Sequence, residues 1–351
     1  MNDERIPVAV LGATGSVGQR FVQLLHHHPW FRLSELVASE RSAGRRYRDA
    51  TDWRLDASMP GDAADLKVRD YYAPLDSPII FSALPSDVAG EIEQRMAKEG
   101  HAVLSNTSTH RMDPDVPLLI PEVNADHVHA IESQRQNRGW SGFIATNPNC
   151  STIHMVLALK PLQQSFGLDA VAVTTLQAVS GAGYPGVPSL DMIDNVVPYI
   201  GEEEDKMETE TKKLLGGYDG AFQPAEMVIS AQCNRVPVRD GHTECISVRL
   251  GRDVSPDEVI EAFNAFRGRP QELDLPSAPP QPVIVRSEAN RPQPALDRDT
   301  AKGMASVVGR VRPCPLMGIK FVVLGHNTVR GAAGASILNA ELFREEGLLP
   351  V

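Results

Sequence analysis

The fold is decided by Ile6-Pro7-Val8-Ala9-Val10-Leu11-Gly12-Ala13-Thr14-Gly15-Ser16-Val17-Gly18, in which an apolar run leads directly into a glycine-rich turn. A short apolar run of this kind is typical of a buried parallel strand. A helical pattern follows over residues 19–25 and stops before Pro29. Strand, glycine turn and helix in this order form the context that a dinucleotide-binding fingerprint requires. The stretch therefore predicts an α/β chain with a Rossmann-type dinucleotide-binding domain.

Each glycine of this turn has its own predicted role. Gly12 permits the tight turn, Gly15 lets the backbone approach a pyrophosphate, and Gly18 lets the helix pack on the strand. Backbone N–H groups for the phosphate oxygens are predicted at Thr14, Ser16 and Val17.

The stretch after the second predicted strand, residues 33–39, indicates which dinucleotide is bound. NAD-preferring sites carry an acidic side chain here, and it binds the ribose 2′-hydroxyl. In this chain the stretch reads Ser39-Glu40-Arg41-Ser42-Ala43-Gly44-Arg45-Arg46. Ser39, Arg41 and Ser42 suit a 2′-phosphate, whereas Glu40 suits the bare hydroxyl. Because the serines and arginines outnumber the single acid, we predict NADP.

Two further buried strands are predicted, at residues 77–84 and 102–105. The first ends at Leu84, and ligands of open α/β sheets bind at the carboxyl ends of the strands. We therefore expect Leu84 to contact the cofactor. The second strand leads into a polar loop that contains Arg111. Arg111 is either a solvated surface residue, the commoner fate of a loop arginine, or an anion-binding residue.

Length and composition restrict the classes of protein that remain. The chain has 351 residues, which favours two domains. A net charge of −11 gives no indication of a nucleic-acid or anionic-membrane partner. Signal-peptide patterns and runs of eighteen apolar residues are lacking, so we expect a cytoplasmic protein. The four cysteines form no CxxC pair and no zinc-ligand cluster, so we expect neither a metal nor a disulfide framework.

A candidate nucleophile follows a rigid turn in Thr146-Asn147-Pro148-Asn149-Cys150-Ser151-Thr152. The apolar residues 153–159 after it have the spacing of a buried helix, so Cys150 is predicted at a helix N-terminus. Free N–H groups at such an end favour a thiolate and can hold an oxyanion. The alternative is that Cys150 is a small, buried, hydrophobic side chain, as most cysteines of cytosolic proteins are.

Beyond Cys150 the strand pattern changes. Runs at 171–176, 244–250, 307–312 and 318–324 alternate between apolar and polar residues, with short turns. This pattern predicts an α+β domain with a mostly antiparallel sheet that has one solvated or interface face. A small-residue helix near the C-terminus is expected to pack on the first domain. We therefore predict a nucleotide-binding domain of residues 1–149 plus 330–351, and a second domain of residues 150–329.

Three further stretches carry polar residues that could complete a site around Cys150. Gln177 precedes a glycine loop with Ser180 and Gly181, which either admits a ligand to its backbone or forms a simple wide turn. Arg235 suits bidentate carboxylate binding, and His242, placed on a turn, titrates near neutrality.

The third stretch places Glu210 and Lys213 three residues apart on a predicted helix, residues 203–215. On spacing alone a surface ion pair of about 0.5 kcal/mol is the favoured interpretation of this pair.

Taken together, these residues resemble aspartate-β-semialdehyde dehydrogenases of the archaeal and fungal-like branch. The resemblance extends over nearly the full length. The motifs that carry it are GATGSVG, SALPS, TNPNCST, LQAVSGAGYPG, ETKK, NRVPVRDGH and NTVRGAAGAS. The cysteine and arginine–histidine motifs are the most specific of these, and the glycine fingerprint is the least.

The resemblance implies reductive dephosphorylation of L-aspartyl 4-phosphate by NADPH through a cysteine acyl-thioester. By the matching motifs, Cys150 would be the nucleophile, His242 the general acid/base, and Gln177 the residue that orients the acyl group. The implied substrate contacts are those of Arg235 with the α-carboxylate, Glu210 with the α-ammonium, and Lys213 and Arg111 with the phosphate. Asn149 is also implied as a substrate-binding residue. Cofactor contacts near the nicotinamide are implied for Ser180, Gly181 and Asn327.

The resemblance further implies a homodimer or homotetramer that associates through the second-domain sheet, and a place in the biosynthesis of lysine, threonine, methionine and isoleucine. The nearest alternatives share this architecture: N-acetyl-glutamyl-phosphate reductase and malonyl-CoA reductase. Neither of their substrates carries a free α-ammonium for Glu210, and malonyl-CoA has no transferable acyl phosphate for Lys213. A non-catalytic NADP sensor is a third alternative, against which the presence of Cys150 and His242 counts.

Overall fold

A computed structural model of the chain describes residues 4–350. Its strands, in chain order, are β1 Ile6–Leu11, β2 Phe31–Val37, β3 Val68–Arg69, β4 Ile79–Ser82, β5 Ala102–Ser105, β6 Phe143–Thr146, β7 Leu168–Gln177, β8 Gly217–Tyr218, β9 Phe222–Gln223, β10 Val228–Arg235, β11 His242–Leu250, β12 Val283–Arg286, β13 Ser306–Cys314 and β14 Gly318–Gly325.

The α-helices, again in chain order, are α1 Ser16–Leu25, α2 Tyr47–Ala50, α3 Gly61–Ala64, α4 Ser86–Lys98, α5 Pro121–Asn124, α6 Ala130–Arg138, α7 Cys150–Phe166, α8 Ser189–Met192, α9 Glu203–Leu214, α10 Pro256–Ala265, α11 Arg269–Glu272, α12 Pro294–Asp297 and α13 Gly334–Glu345. Within residues 4–350, no helix is long and apolar enough to cross a membrane.

The chain divides into two compact units, and the first contains Met1–Leu119, His127–Asn147 and Ala332–Val351. Its sheet has the order β3-β2-β1-β4-β5-β6, with every neighbouring pair parallel. Every residue of β4, β5 and β6 is buried, because helices of a doubly wound sheet cover both of its faces. The strand order reverses between β1 and β4, and this is the point at which such sheets bind ligands.

The second unit contains Ile120–Asp126 and Pro148–Gly331. Its sheet has the order β10-β7-β11-β14-β13-β12. The three central pairs are antiparallel, whereas both edge pairs, β10 with β7 and β12 with β13, are parallel. The predicted antiparallel arrangement is therefore confirmed for the centre of the sheet only, and the sheet as a whole is mixed. Parallel neighbours require long crossover connections, which here are residues 178–227 and 287–305.

Helix α7 is the core element of the second unit. It packs against β7, β11 and β14, and it is buried along most of its length. Its buried residues lie on all sides, as expected of a helix enclosed in a core rather than lying on a surface. The opposite face of the sheet carries exposed or partly exposed side chains such as Gln232, Ser247 and Lys320. One face of the sheet therefore positions the start of α7, and the other remains available to solvent or to a partner.

Candidate active site

The glycine turn of the first unit is fixed by close backbone contacts. Gly12 has a φ of +72°, and a Cβ atom on it would lie 2.3 Å from the carbonyl oxygen of Ala83. A Cβ on Gly18 would lie 2.2 Å from the Gly12 oxygen. Both positions therefore exclude any side chain. Gly15 is different, because its nearest contact would be 3.4 Å away.

Helix α1 begins directly after this turn with Gly15 as its N-cap, and no side chain caps it. The N–H groups of its first residues, Ser16 and Val17, and that of Thr14 in the turn can therefore be offered to an anion. The predicted 2′-phosphate residues lie in the turn after β2, where Ser42 N–H donates to the Ser39 oxygen at 2.8 Å and Arg41 is exposed. Leu84 is buried, and its backbone nitrogen lies 3.3 Å from the position of a Gly12 Cβ.

Arg111 also belongs to the first unit. It is not a solvated surface residue, since only 7% of it is exposed, and its Nη2 donates to the Asn106 oxygen at 2.8 Å. The Arg111 side chain therefore holds its own loop in place through a hydrogen bond to the Asn106 backbone.

In the second unit, Cys150 is the first residue of α7. Asn149 caps this helix, because its Oδ1 accepts from the N–H groups of Ser151 at 2.9 Å and Thr152 at 3.2 Å. Gly331 lies against the cysteine, and a Cβ on Gly331 would be 2.9 Å from the Cys150 Cβ. The thiol is thus held at the positive end of a seventeen-residue helix, where a thiolate is favoured.

His242 lies next to this thiol, with 3.2 Å between its Nε2 and the Cys150 Sγ. The other ring nitrogen, Nδ1, accepts from the Ala178 backbone N–H at 3.0 Å. Because a backbone N–H can only donate, the neutral ring carries its proton on Nε2, the nitrogen that faces the sulfur. His242 is therefore oriented to donate a hydrogen bond toward the thiolate or toward an oxygen formed beside it.

Burial lowers the pKa of His242 well below 6.5, and the charge of Arg235 and the neighbouring rings of His154 and His326 lower the pKa further. The ring is therefore neutral near pH 7. His242 is the first residue of β11 rather than a turn residue, so its backbone is held by the sheet.

Arg235 ends β10 and lies in register with Gln177 of β7. Its Nη1 donates to the Ala178 oxygen at 2.8 Å, and burial lowers the pKa of the guanidinium. A Cβ on Gly181 would lie 2.9 Å from this Nη1 and 3.2 Å from the His242 Cε1. The glycine loop therefore passes directly over the arginine and the histidine, and Gly181 leaves it the room to do so.

Ser180 of this loop is hydrogen-bonded to Asn327 in the segment after β14. Asn327 Nδ2 donates to the Ser180 Oγ at 2.8 Å, and Asn327 Oδ1 accepts from the Gly241 N–H at 2.9 Å. Ser180, Gly181 and Asn327 are thus brought together beside His242, although Asn327 lies more than 140 residues from the other two in the sequence.

Glu210 and Lys213 lie on α9, and both are buried, with 2% and 4% exposed. The interpretation of this pair as a surface ion pair is therefore wrong. Glu210 Oε2 accepts from the Asn149 backbone N–H at 2.6 Å, directly before the cysteine. Lys213 Nζ lies 4.1 Å from the centre of the Phe222 ring. Both charged residues lie on the buried side of α9 together with Met207, Thr211 and Leu214, and the helix packs on β10 and α7.

Sequence reasoning missed three residues around this cluster. Glu203 accepts from the side-chain amides of Asn149 and Gln177. His154 is fully buried one turn into α7 and lies near His242. Glu244, on the same strand face as His242, is also fully buried, and burial raises its pKa well above 4.5. A signal existed for Glu203 alone, because it precedes Glu210 by seven residues and so shares its helix face.

Two family profiles match the chain. One, described as "Semialdehyde dehydrogenase, NAD binding domain", matches residues 7–131. The other, described as "Semialdehyde dehydrogenase, dimerisation domain", matches residues 159–330. Together with the cysteine–histidine pair, these matches define the class as a semialdehyde dehydrogenase.

Individual relatives narrow this class. An aspartate-semialdehyde dehydrogenase of Archaeoglobus fulgidus is 53% identical over 98% of this chain and all of its own length. One of Schizosaccharomyces pombe is 47% identical over 97% of this chain and 99% of its own. The crystal structure of the Candida albicans enzyme with NADP superposes with a TM-score of 0.91 at 43% identity, covering 98% of this chain and all of that one. The chain belongs to the aspartate-semialdehyde dehydrogenase family, which confirms the resemblance found in its motifs.

Proposed function

We propose that the chain catalyses the NADPH-dependent conversion of L-aspartyl 4-phosphate to L-aspartate 4-semialdehyde, NADP⁺ and phosphate. The observation that carries this proposal is the Cys150–His242 contact of 3.2 Å at the start of α7, with Arg235 beside it. The reaction lies in the biosynthesis of lysine, threonine, methionine and isoleucine. None of the four cysteines forms a disulfide, and the proposal places the protein in the cytoplasm, where conditions are reducing.

The first half of the reaction follows from the position of Cys150. Its thiolate attacks the acyl-phosphate carbonyl, a carbon–sulfur bond forms, and the carbon–oxygen bond to phosphate breaks. The products of this half are an acyl-thioester on Cys150 and free phosphate. The Nε2–H of His242 and the positive end of the α7 dipole stabilise the negative oxygen of the tetrahedral species.

The second half needs a hydrogen-bond donor at the oxygen of the tetrahedral species. When bound, NADPH supplies the hydride that reduces the thioester. His242 then donates its hydrogen bond to the tetrahedral oxygen and, as that species collapses, to the departing Cys150 thiolate. In the reverse direction the same Nε2–H stabilises the oxyanion formed when the Cys150 thiolate adds to the aldehyde carbon.

Substrate binding follows from the charges around this pair. Arg235 would hold the α-carboxylate with its planar fork, and Glu210 would accept the α-ammonium. Lys213 would bind the phosphate, and by motif Arg111 has the same role. Asn149 and Gln177 would orient the acyl group.

Two groups of residues would bind the cofactor, one at its pyrophosphate and one at its nicotinamide end. The side-chain-free turn at Gly12 and Gly18, followed by the uncapped start of α1, suits the pyrophosphate. The residues that would hold the dinucleotide in the first unit are Gly12, Thr14, Gly15, Ser16, Val17, Ser39, Arg41, Ser42 and Leu84. Those that would contact its nicotinamide end are Ser180, Gly181 and Asn327.

The proposal assigns the nucleotide-binding domain to residues 1–149 with 330–351 and the catalytic domain to residues 150–329. It also includes a homodimer or homotetramer formed through the exposed face of the mixed sheet. The partly polar side chains of that face, Gln232 and Ser247 among them, are compatible with an interface of this kind.

The decisive experiment measures NADPH formation from L-aspartate 4-semialdehyde with and without inorganic phosphate. We expect strictly phosphate-dependent reduction of NADP⁺, because the thioester must be released by phosphate. Succinic semialdehyde, which lacks the amino group, is expected to react poorly. Coenzyme A dependence in place of phosphate would instead assign the chain to the malonyl-CoA reductases. An unreactive Cys150 in alkylation assays would favour a non-catalytic NADP sensor.

A further inference from the structure

Glu203, the first residue of α9, has no role in the steps above, yet it contacts two residues of the site. Asn149 Nδ2 donates to Glu203 Oε1 at 2.9 Å and to Oε2 at 2.8 Å. Gln177 Nε2 donates to the same Oε2 at 3.2 Å. One carboxylate therefore holds the side-chain amides on both flanks of the cysteine–histidine pair.

These contacts fix the direction of each amide. A carboxylate can only accept hydrogen bonds, so the NH₂ end of each amide must face Glu203 and the carbonyl end must face away. For Asn149 this direction is determined twice, because its oxygen also accepts from two helix N–H groups. The cap of α7 is thus locked by Glu203.

For Gln177 the consequence concerns the substrate. Its amide nitrogen is used by Glu203, while its Oε1 accepts no hydrogen bond from any of residues 4–350. With its amide nitrogen held by Glu203, Gln177 presents Oε1 as an acceptor, and only the second N–H of the amide remains as a donor. An acceptor cannot stabilise an oxyanion, but it suits an ammonium group.

The position of Arg235 indicates which ammonium this is. Arg235 and Gln177 lie side by side at the ends of neighbouring parallel strands, and the Glu203 carboxylate acts on the charge of Arg235. A substrate held at Arg235 by its α-carboxylate carries its α-ammonium on the same carbon. That ammonium group consequently lies near the acceptors beside Arg235, which are the Gln177 Oε1 and the Glu203 carboxylate.

We propose that Glu203 is a positioning residue that orients Gln177 so that its oxygen, together with the Glu203 carboxylate, selects substrates with an α-ammonium group. This rests on the proposed function and deepens it, because it names the residue that separates an amino-acid semialdehyde from its desamino analogue. Glu210, which is 2% exposed and already binds the Asn149 N–H, then acts beside Glu203 rather than alone.

The test compares Glu203→Gln with Glu204→Gln. Glu204 is a matched control, because its Oε1 accepts from the Cys233 backbone N–H at 2.9 Å but it contacts neither amide. For each purified full-length variant, kcat/KM is measured with L-aspartate 4-semialdehyde and with succinic semialdehyde. We expect Glu203→Gln to reduce the preference for the amino substrate about 10- to 100-fold, the usual size of an effect from an orienting residue. Glu204→Gln is expected to keep the preference.

An equal loss on both substrates, or an unchanged preference, would overturn the inference. If Glu203→Gln does not fold, Gln177→Leu provides the same test, since it removes the acceptor and must also reduce the preference. Failure of the proposed function is seen separately, because the unmodified protein would then show no phosphate-dependent activity with either substrate.

Discussion

The glycine turn of the first unit and the cysteine cluster of the second are built in opposite ways. The turn is specified by the absence of side chains, since Gly12 and Gly18 leave no room for a Cβ. The cluster is specified by side chains from five separate elements, α7, β7, α9, β10 and β11, with Cys150 and His242 lying 92 residues apart. Conservative changes of side-chain chemistry should therefore damage the cluster most, and added bulk should damage the turn most.

The sharpest test of this contrast is Cys150→Ser. Serine keeps the shape of the site but lacks a thiolate, so we expect kcat to fall at least about 10⁴-fold. NADP affinity, measured by fluorescence titration, should stay within about twofold. Cys233→Ala serves as the control, because burial raises the pKa of that thiol to about 12 and leaves it inert. Substantial activity in Cys150→Ser would remove the covalent route.

Bulk at the turn is tested by Gly18→Ala. The new methyl group would lie 2.2 Å from the Gly12 oxygen, so the helix or the strand must move. We expect the free energy of unfolding to fall by about 3 kcal/mol in urea titrations.

Gly15→Ala is the matched variant, since its nearest contact would be 3.4 Å. It should keep its stability while binding NADP more weakly, because the methyl group would block approach of the pyrophosphate. Equal stability of both alanine variants would contradict this account of the turn.

A smaller effect is expected for Arg235→Lys, which keeps the charge and removes the planar fork. Lysine cannot bind a carboxylate through two parallel hydrogen bonds, and it cannot hold the Ala178 oxygen in the same geometry. We expect KM for L-aspartate 4-semialdehyde to rise about 10- to 100-fold, with a smaller change in kcat. An unaltered KM would exclude Arg235 from the substrate site.

The smallest effect concerns the pH dependence of stability. Burial, and then the charge of Arg330, lower the pKa of His154 to about 3. Between that value and about 6.5 the unfolded chain binds a proton that the native chain does not, so acidification destabilises the fold by about 1.4 kcal/mol per pH unit. In His154→Gln this contribution should vanish, and urea titrations from pH 7 to pH 4.5 should give a flatter curve. An identical slope in both proteins would show that His154 is protonated in the native state.

The glycine turn could be predicted from the sequence because all the residues that determine it are close together in the chain. Gly12, Gly15 and Gly18 lie within seven residues, and the strand and helix on either side follow from apolar spacing. Cys150 at a helix start was also predictable, since Asn149 is a typical capping residue.

Other features depend on pairing between distant segments. The parallel edges of the mixed sheet were missed because strand direction is set by long crossovers, which leave no period in the sequence. Glu203 was missed because an acidic helix start ordinarily complements the helix dipole, and only the fold brings its carboxylate to Asn149 and Gln177. The burial of Glu210 and Lys213 was missed for the same reason, since a three-residue spacing is equally compatible with solvent and with a packed interface.

The pairing of Glu122 with Arg330 limits how this protein can be divided into fragments. Both side chains are fully buried, and Arg330 Nη2 donates to Glu122 Oε2 at 2.5 Å within the second unit. Glu122, however, lies in a short sequence segment, Ile120–Asp126, that is flanked on both sides by residues of the first unit. A fragment cut at residues 148–331 would keep the arginine without its partner, and an unpaired buried charge costs about 3–5 kcal/mol. The second unit therefore cannot be transplanted as one continuous gene segment, and any chimaera must carry residues 120–126 with it.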